Sequence, residues 1–175
     1  MIINCYSIVD ITSKSTSSVQ IGGICAINYN NGQIQNCFTS GNIECSSTDG
    51  DVAGVYGIAD TYNYDENTNS NVTNCFSLAN LTVDCTSHTA MIFNQVYLEQ
   101  TSKVSTKSYG CISQILKRND ETITPTGKSI SQLLKKSFLI SLNYKAFVSS
   151  ENMIENSNAV WILSDNNLPK LWFEV

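Results

Sequence analysis

Few residues in this chain have the types and spacing that acid–base or nucleophilic catalysis requires. His88 is the only histidine, so a Ser-His-Asp or Cys-His site would have to use it. It lies in the polar segment Thr86-Ser87-His88-Thr89, and the sequence contains no nucleophile-elbow motif. We therefore expect His88 to occupy an exposed turn, and we expect no catalytic residues and no enzymatic activity.

Acidic residues in predicted turns are the candidates for metal binding. Asp49, Asp51 and Asp60 have the carboxylate oxygens that calcium prefers as ligands. Their spacing matches neither the twelve-residue EF-hand loop nor the glycine-rich calcium repeat. We therefore expect no obligatory cofactor, and calcium at these aspartates is the one metal hypothesis.

A polar insertion at residues 61–70 provides the candidates for ligand binding. Tyrosine rings beside amide and acidic groups can stack on sugar rings or anchor a protein partner. On this interpretation Tyr62, Tyr64, Asp65 and Glu66 contact the ligand. The alternative is that they are ordinary loop residues whose rings pack against the wall of the scaffold.

A short phrase that occurs three times indicates the elements that position these residues. Its cysteines lie 32 and then 38 residues apart, which is typical of solenoids in which neighbouring repeats stack on one another. The three copies are Ile3-Asn4-Cys5-Tyr6-Ser7, Gln35-Asn36-Cys37-Phe38-Thr39 and Thr73-Asn74-Cys75-Phe76-Ser77.

Two further apolar segments follow each copy of the phrase. An aliphatic residue comes six residues after the cysteine, and a small, partly aliphatic segment comes some sixteen to eighteen residues after it. Alternation of period two predicts three short strands per repeat, and hence an all-β, parallel β-helix of about three to four triangular coils. The segments are Ile11, Ile43 and Leu81, then Gly22-Gly23-Ile24, Ala53-Gly54-Val55 and Ala90-Met91-Ile92.

The asparagine of each phrase is expected at a corner between strands. Asparagine tolerates the left-handed backbone conformation, which would turn both of its neighbours toward the interior. Stacked repeats would then align the asparagines in an amide ladder and the aromatic rings in a second column. The predicted columns are Asn4, Asn36 and Asn74, and Tyr6, Phe38 and Phe76.

The seven cysteines bear on metal binding and on redox state. No Cys-x-x-Cys motif occurs and the chain has one histidine, so we expect no structural zinc site. Their positions within the repeat favour buried free thiols that act as small apolar side chains. A disulfide framework is the alternative, although disulfide-dense scaffolds are usually much shorter than this chain.

The repeat pattern weakens in the last third of the chain. Residues 104–113 are interpreted as a degenerate fourth copy, with Ser108-Tyr109-Gly110 in place of Cys-Phe-Ser. Ser129-Ile130-Ser131-Gln132 matches a capping box and predicts an amphipathic helix over residues 129–139.

The apolar segments near the C-terminus, at 159–163 and 168–173, are predicted to complete a terminal cap of helix plus strand. The sequence therefore predicts a β-helix repeat array at residues 1–115. It predicts a C-terminal capping segment at residues 116–175, within the same structural domain.

Charge and hydropathy limit the partners that we expect. The formal net charge is -5, whereas nucleic-acid binding requires clustered Lys and Arg, so no nucleic-acid partner is expected. No run approaches the roughly 18 apolar residues of a membrane span, so no membrane insertion is expected. Met1 runs directly into the first phrase without a signal peptide, and we expect this chain to be a fragment with an upstream domain.

The phrase, the aliphatic residue six positions later and Gly22-Gly23-Ile24 together resemble the GLUG-motif repeats of bacterial cell-surface proteins. Such repeats occur in adhesin-like proteins and in the non-catalytic part of some IgA-specific metallopeptidases. The resemblance covers residues 2–95, and Trp161-x-Leu163 with Leu168-Pro169-x-Leu171 is similar to the ending that often follows such arrays. It implies a right-handed β-helix outside the cell and carries over no catalytic residues.

Two functions are consistent with these observations. The first is a non-enzymatic repeat module of a secreted or cell-surface protein, a stalk or adhesin that presents loops to a host protein or glycan. The alternative is a carbohydrate-active β-helix enzyme, either a polysaccharide lyase or a glycoside hydrolase, or its binding domain. The alternative requires Asp49, Asp51, Asp60 and Glu66 to converge in one groove.

Overall fold

The computed structural model describes residues 1–50, 52–62, 69–86, 89–93, 96–98, 105–142, 147–149 and 160–174. The chain divides into two compact units, Met1–Gly127 and Lys128–Val175. The fold is mostly β, and its parallel sheets are strongly curled. We describe each unit separately.

The first unit contains seventeen described strands, most of them short. In chain order they are β1 (Ile2–Ile3), β2 (Tyr6–Ile8), β3 (Ile11–Ser15), β4 (Val19–Gly22), β5 (Ile27–Tyr29), β6 (Gln33–Gln35), β7 (Phe38–Ser40), β8 (Asn42–Ser47), β9 (Val52–Tyr56), β10 (Ala59–Tyr62), β11 (Asn71–Ser77), β12 (Asn80–Cys85), β13 (Thr89–Phe93), β14 (Val96–Leu98), β15 (Ser105–Tyr109), β16 (Leu116–Arg118) and β17 (Glu121–Ile123).

Each strand from β1 to β16 pairs in parallel with its counterpart one repeat away. We define repeat 1 as β1–β5, repeat 2 as β6–β10, repeat 3 as β11–β14 and repeat 4 as β15–β16. In one sheet Ile11 lies opposite Ile43, Ile43 opposite Leu81, and Leu81 opposite Leu116. The predicted offsets of 32 and 38 residues are therefore confirmed, because positions that correspond in sequence are neighbours in space.

The fourth copy of the phrase is also confirmed. In the β11–β15 pair, Ser108 lies opposite Cys75 and Tyr109 opposite Phe76. Beyond it, β16 and β17 form an antiparallel hairpin through Asn119 and Asp120, both of which have positive φ. Positive φ at both turn positions matches the right-handed twist of the flanking strands.

The predicted number of strands per repeat was wrong. The repeats contribute to four parallel sheets, and the one that sequence reasoning missed has the strand order β14-β10-β5. Its strands carry buried polar residues at Asn28, Asp60 and Thr61, which interrupt the hydrophobic pattern that marks a strand.

The predicted alignment of Ala53-Gly54-Val55 with Ala90-Met91-Ile92 is confirmed, whereas that of Gly22-Gly23-Ile24 was wrong by three residues. Val19 pairs with Ala53 and Ile21 pairs with Val55, so Gly54 lies opposite Gln20 and not opposite Gly23. The physical reason is that alternate apolar residues must face the interior, and the alternation Val19-Gln20-Ile21 supplies them. A side chain at Gly54 would instead collide with the ring of Tyr56.

The described residues of the first unit include two buried clusters in its interior. They are formed by aliphatic residues and cysteines that face inward from successive repeats. One consists of Ile43, Cys45, Ala53, Val55, Ala79, Leu81, Val83, Cys85 and Leu116, and the other of Ile34, Cys37, Ile58, Ala59, Val72 and Cys75. The prediction that cysteines serve as small apolar side chains is confirmed at these positions.

The second unit contains α1 (Ile130–Leu133), α2 (Lys136–Leu142), β18 (Phe147–Ser149), β19 (Trp161–Leu163), β20 (Lys170–Leu171) and a 3-10 turn at Trp172–Glu174. The predicted capping box is confirmed, since Gln132 N donates to Ser129 Oγ and Ser129 N donates to Gln132 Oε1. The single predicted helix is instead two, because the chain leaves helical geometry after Leu133. In the part of the chain described, neither helix is long and apolar enough to cross a membrane.

Candidate functional site

The first corner of each of repeats 1 to 3 carries an asparagine in the left-handed backbone conformation. The φ angles are 54° at Asn4, 54° at Asn36 and 58° at Asn74. Asn36 Nδ2 donates to Asn4 Oδ1 at 2.9 Å, and Asn74 Nδ2 donates to Asn36 Oδ1 at 3.1 Å. The predicted amide ladder is confirmed, and it has a direction, because each asparagine donates toward the previous repeat.

An aromatic column runs beside the ladder. The rings of Tyr6 and Phe38 stack with centroids 5.2 Å apart and planes 10° from parallel. Phe38 and Phe76 stack at 5.2 Å and 8°. Phe38 and Phe76 are fully buried, whereas Tyr6 is half-buried at the end of the column. The predicted column is confirmed, and its spacing is that of neighbouring β-strands.

The cysteine of each phrase has a structural role that its hydrogen bonds reveal. Each thiol donates to the carbonyl two residues before it, at 3.2 Å for Cys5, 3.0 Å for Cys37 and 3.2 Å for Cys75. The acceptor carbonyl immediately precedes the left-handed asparagine. A cysteine at this place therefore fills the interior and also stabilises the corner.

All seven cysteines are free thiols. Burial, together with the smaller effects of nearby Asp84 and Cys85, raises the pKa of Cys45 to about 12. Burial also raises the pKa of Cys75 well above its usual range. These thiols stay protonated at neutral pH, and protonated thiols are poor nucleophiles, so they are suited to packing.

A second polar ladder follows at the next corner, and sequence reasoning missed it. Asp10 Oδ1 accepts from Asn42 N at 2.9 Å and from Asn42 Nδ2 at 2.8 Å. Asn80 Nδ2 donates to Asn42 Oδ1 at 3.0 Å, and Ile115 N donates to Asn80 Oδ1 at 2.8 Å. The signal was present, since each member lies six residues after the asparagine of the phrase.

The candidate calcium ligands occupy different elements. Asp49 lies in an exposed turn after β8, whereas Asp60 lies in β10 and is 4 % exposed. Asp51 lies outside the described residues. Among the residues described, no three His, Cys, Asp or Glu side chains form a group able to hold a metal ion. Calcium binding at these aspartates stays a prediction.

The surroundings of Asp60 are polar although they are buried. Thr61, its neighbour in β10, lies opposite Asn28 in β5. Asn28 is 6 % exposed and Thr61 is fully buried. Two strands of this sheet therefore bury polar side chains, Asn28 in β5 and Asp60 and Thr61 in β10.

The candidate ligand-binding residues lie at the edge of the described structure. Tyr62 ends β10, where its backbone pairs with Tyr29 of β5. Tyr64, Asp65 and Glu66 lie outside the described residues. Their role in binding stays a prediction.

The N-terminal edge of the first unit is the most distinctive surface that the structure describes. In the described sheets, strands β2, β3, β4 and β5 each have a partner on one side only. A groove of about 440 Å³ opens beside β4 and β5. Several apolar side chains along this edge are exposed, namely Ile3, Ile8, Val9, Ile27 and Tyr29.

Comparison of this chain with protein-family models, with curated proteins and with solved structures finds no match.

Proposed function

We propose that this chain is a non-enzymatic repeat module of a secreted or cell-surface protein, built as a right-handed parallel β-helix of the GLUG-repeat type. Its role is mechanical, because stacked repeats form a rigid support that holds loops at a fixed spacing. The loops then contact a host protein or a glycan.

One observation carries this proposal, namely that like side chains meet in columns through successive repeats. The amide ladder of Asn4, Asn36 and Asn74 and the rings of Tyr6, Phe38 and Phe76 link repeats 1, 2 and 3 at two adjacent positions. Each repeat contacts its neighbours, so stiffness and stability are shared along the stack. Such a support suits a stalk better than a catalytic domain.

The loop between β10 and β11 is the segment that this support would present. Both flanking strands are held on two sides, β10 by β5 and β14, and β11 by β6 and β15. The connection contains the tyrosine and acidic residues predicted to bind a ligand, Tyr64, Asp65 and Glu66. A variable loop on a rigid scaffold is a common design for recognition.

The test is to replace residues 63–68 with a short Gly-Ser linker and to compare binding on a glycan array and to host extracellular-matrix proteins. The proposal predicts that the melting temperature is preserved within a few degrees while binding is lost. The control replaces Ser113, an exposed residue in the turn before β16, with glycine, and it should retain binding. Equal binding by the intact and loop-replaced chains would contradict the proposal.

The alternative, a carbohydrate-active enzyme, receives no support from the described acidic residues. Asp49 is exposed in a turn and Asp60 is buried within a strand of another sheet. A pair of carboxylates on opposite sides of one bond is the arrangement that such chemistry needs. We therefore propose a single function.

A further inference from the structure

The N-terminal edge of repeat 1 lacks the features that usually prevent a sheet edge from pairing with another chain. Natural edges carry charges, proline, bulges or a covering helix. Repeat 1 contains only Asp10 and Lys14 as charged residues, and it contains no proline. The outer strands β2, β3, β4 and β5 each direct one set of backbone donors and acceptors away from repeat 2.

The amide ladder has an unused donor at this edge. Because each asparagine donates toward the previous repeat, Asn36 Nδ2 is bonded to Asn4 Oδ1. The remaining Asn4 Nδ2 has no partner among the residues described, and Asn4 is half-buried. An amide in this position can donate to an acceptor one strand spacing further along the stack.

The second ladder ends differently at the same edge. Its first member is Asp10, whose Oδ1 accepts both bonds from Asn42. A carboxylate has no donor, so Asp10 presents acceptor capacity and a negative charge to whatever lies beyond it. The edge therefore offers two distinct hydrogen-bonding groups six residues apart, a donor at Asn4 and an acceptor at Asp10.

We propose that the N-terminal edge of repeat 1 binds a further β segment of the same repeat chemistry, in parallel and in register. The occupant is a partner segment with asparagine facing Asn4, an aromatic residue two positions later above Tyr6, and an amide or basic donor facing Asp10. This surface continues the interface that already joins repeat 1 to repeat 2. The inference rests on the proposed stacking function and adds the partner that the stack recognises.

A second copy of this chain fits the surface less well. In the sheet that contains β3, the opposite end is closed by β17, which runs antiparallel to β16. A copy added by that end would present an antiparallel strand to β3 and would lose the register of the ladders.

The probe is a fluorescein-labelled peptide with the sequence of residues 33–48, added under reducing conditions to the full chain. In the proposed register its Asn36 faces Asn4 of the protein and its Asn42 faces Asp10. We expect saturable binding and at least fivefold slower hydrogen exchange of the β2 and β3 amides. The peptide variant Asn36→Ala should bind about tenfold more weakly, since it loses both the acceptor and the left-handed preference.

The matched protein variant is Asn4→Asp. Aspartate keeps the Oδ1 acceptor for Asn36 and tolerates positive φ, so folding should be preserved. It removes the outward donor and replaces it with an acceptor, so peptide binding should fall about tenfold. The peptide variant Asn42→Lys should bind about twofold more tightly to the wild-type protein at low salt, and this gain should disappear at high salt.

The possible outcomes separate the inference from the function on which it rests. If the β7 and β8 amides are protected but the peptide leaves β2 and β3 unchanged, the inference is wrong and the proposed stacking stands. If β7 and β8 exchange freely without peptide, the stacking function itself is wrong. Dimerisation in sedimentation experiments that protects β2 and β3 without peptide would identify a second copy as the occupant and overturn the proposal.

Discussion

The two units of this chain reach stability by different means. In Met1–Gly127, side chains of the same type meet from repeat to repeat, as Phe38 does between Tyr6 and Phe76. In Lys128–Val175, two short helices and a three-stranded sheet bury unlike residues such as Trp161 and Leu139. In the first unit the same kind of contact recurs between successive repeats. In the second unit each contact between side chains occurs only once.

This difference determines how far the effect of a substitution on stability should extend. A residue in the middle of a column supports two interfaces between repeats, and a residue at the end supports one. A core residue of the second unit supports only its own cluster. Both tryptophans lie in the second unit, so tryptophan fluorescence reports on it selectively, while hydrogen exchange reports on each repeat.

The largest effect is expected from Phe38→Ala. The ring is 1 % exposed and stacks on both sides, so its loss should cost about 3–5 kcal/mol of unfolding free energy. This loss of unfolding free energy is measured by hydrogen exchange of the amides of repeats 1 to 3 at increasing denaturant concentration. Tyr6→Ala, at the half-buried end of the column, should cost less than half as much. Equal costs for both would argue against a continuous column.

Asn36→Ala should have the next largest effect. It removes two amide hydrogen bonds from a residue that is 3 % exposed, and it forces alanine to adopt φ near 54°. We expect a loss of about 2–4 kcal/mol. Glycine adopts this backbone conformation without steric cost, so Asn36→Gly should recover about 1 kcal/mol of that loss in the same unfolding experiment. If glycine were no better than alanine, the left-handed corner would not be a source of the cost.

Ser129→Ala should have a smaller effect, confined to the second unit. The substitution removes one half of the capping box that begins α1. We expect a loss of about 1 kcal/mol, measured by the tryptophan fluorescence transition. Ser137→Ala, on an exposed face of α2, is the matched control and should change stability by less than about 0.5 kcal/mol. An equal loss from the control would show that the cap is not responsible.

The last prediction is a loss of stability that occurs only at alkaline pH and is absent at neutral pH. Burial raises the pKa of Cys45 to about 12 from the usual 9.0 of a cysteine thiol, so the unfolded chain loses this proton first. The stabilisation is therefore complete below pH 9 and declines as the pH rises toward about 12. Because all seven cysteines precede residue 128, the loss should appear in the first unit.

Cys45→Ala tests the origin of this pH dependence. The variant should be less stable at neutral pH, because a buried side chain is shortened, but its alkaline loss should be shallower than that of the wild-type chain. Denaturant midpoints at several pH values between 8 and 11 provide the measurement. Parallel pH profiles for the two proteins would rule out Cys45 as the group responsible.

The structure of the first unit could be predicted from the sequence where its columns repeat the same residue type. The phrase around Asn36 and Phe38 predicted the register, the corner conformation and both of the first columns. The ladder from Asp10 was missed because its first member differs from Asn42 and Asn80. The fourth sheet was missed because buried Asn28 and Thr61, which pair across β5 and β10, do not produce a hydrophobic alternation.

The structure of the second unit was harder to predict because its sequence motifs determine only local structure. A capping box fixes where a helix begins, but where it ends depends on tertiary contacts. Lys136 N makes such a contact, because it donates to Asp165 Oδ1 at 2.9 Å. This partner, 29 residues away, stabilises the start of α2 as a separate helix. The candidate binding site was predicted as a set of loop residues, and Asp60, which the structure buries, shows that loop composition alone does not predict exposure.

The central claim is that Phe38 lies between Tyr6 and Phe76, with repeats 1, 2 and 3 in register. The most direct test is nuclear Overhauser spectroscopy on chain labelled selectively at phenylalanine and tyrosine in a deuterated background. With centroids 5.2 Å apart on each side, the ring protons of Phe38 should give strong cross-peaks to both Tyr6 and Phe76. A Phe38 ring that shows contact with neither would contradict the stacked arrangement.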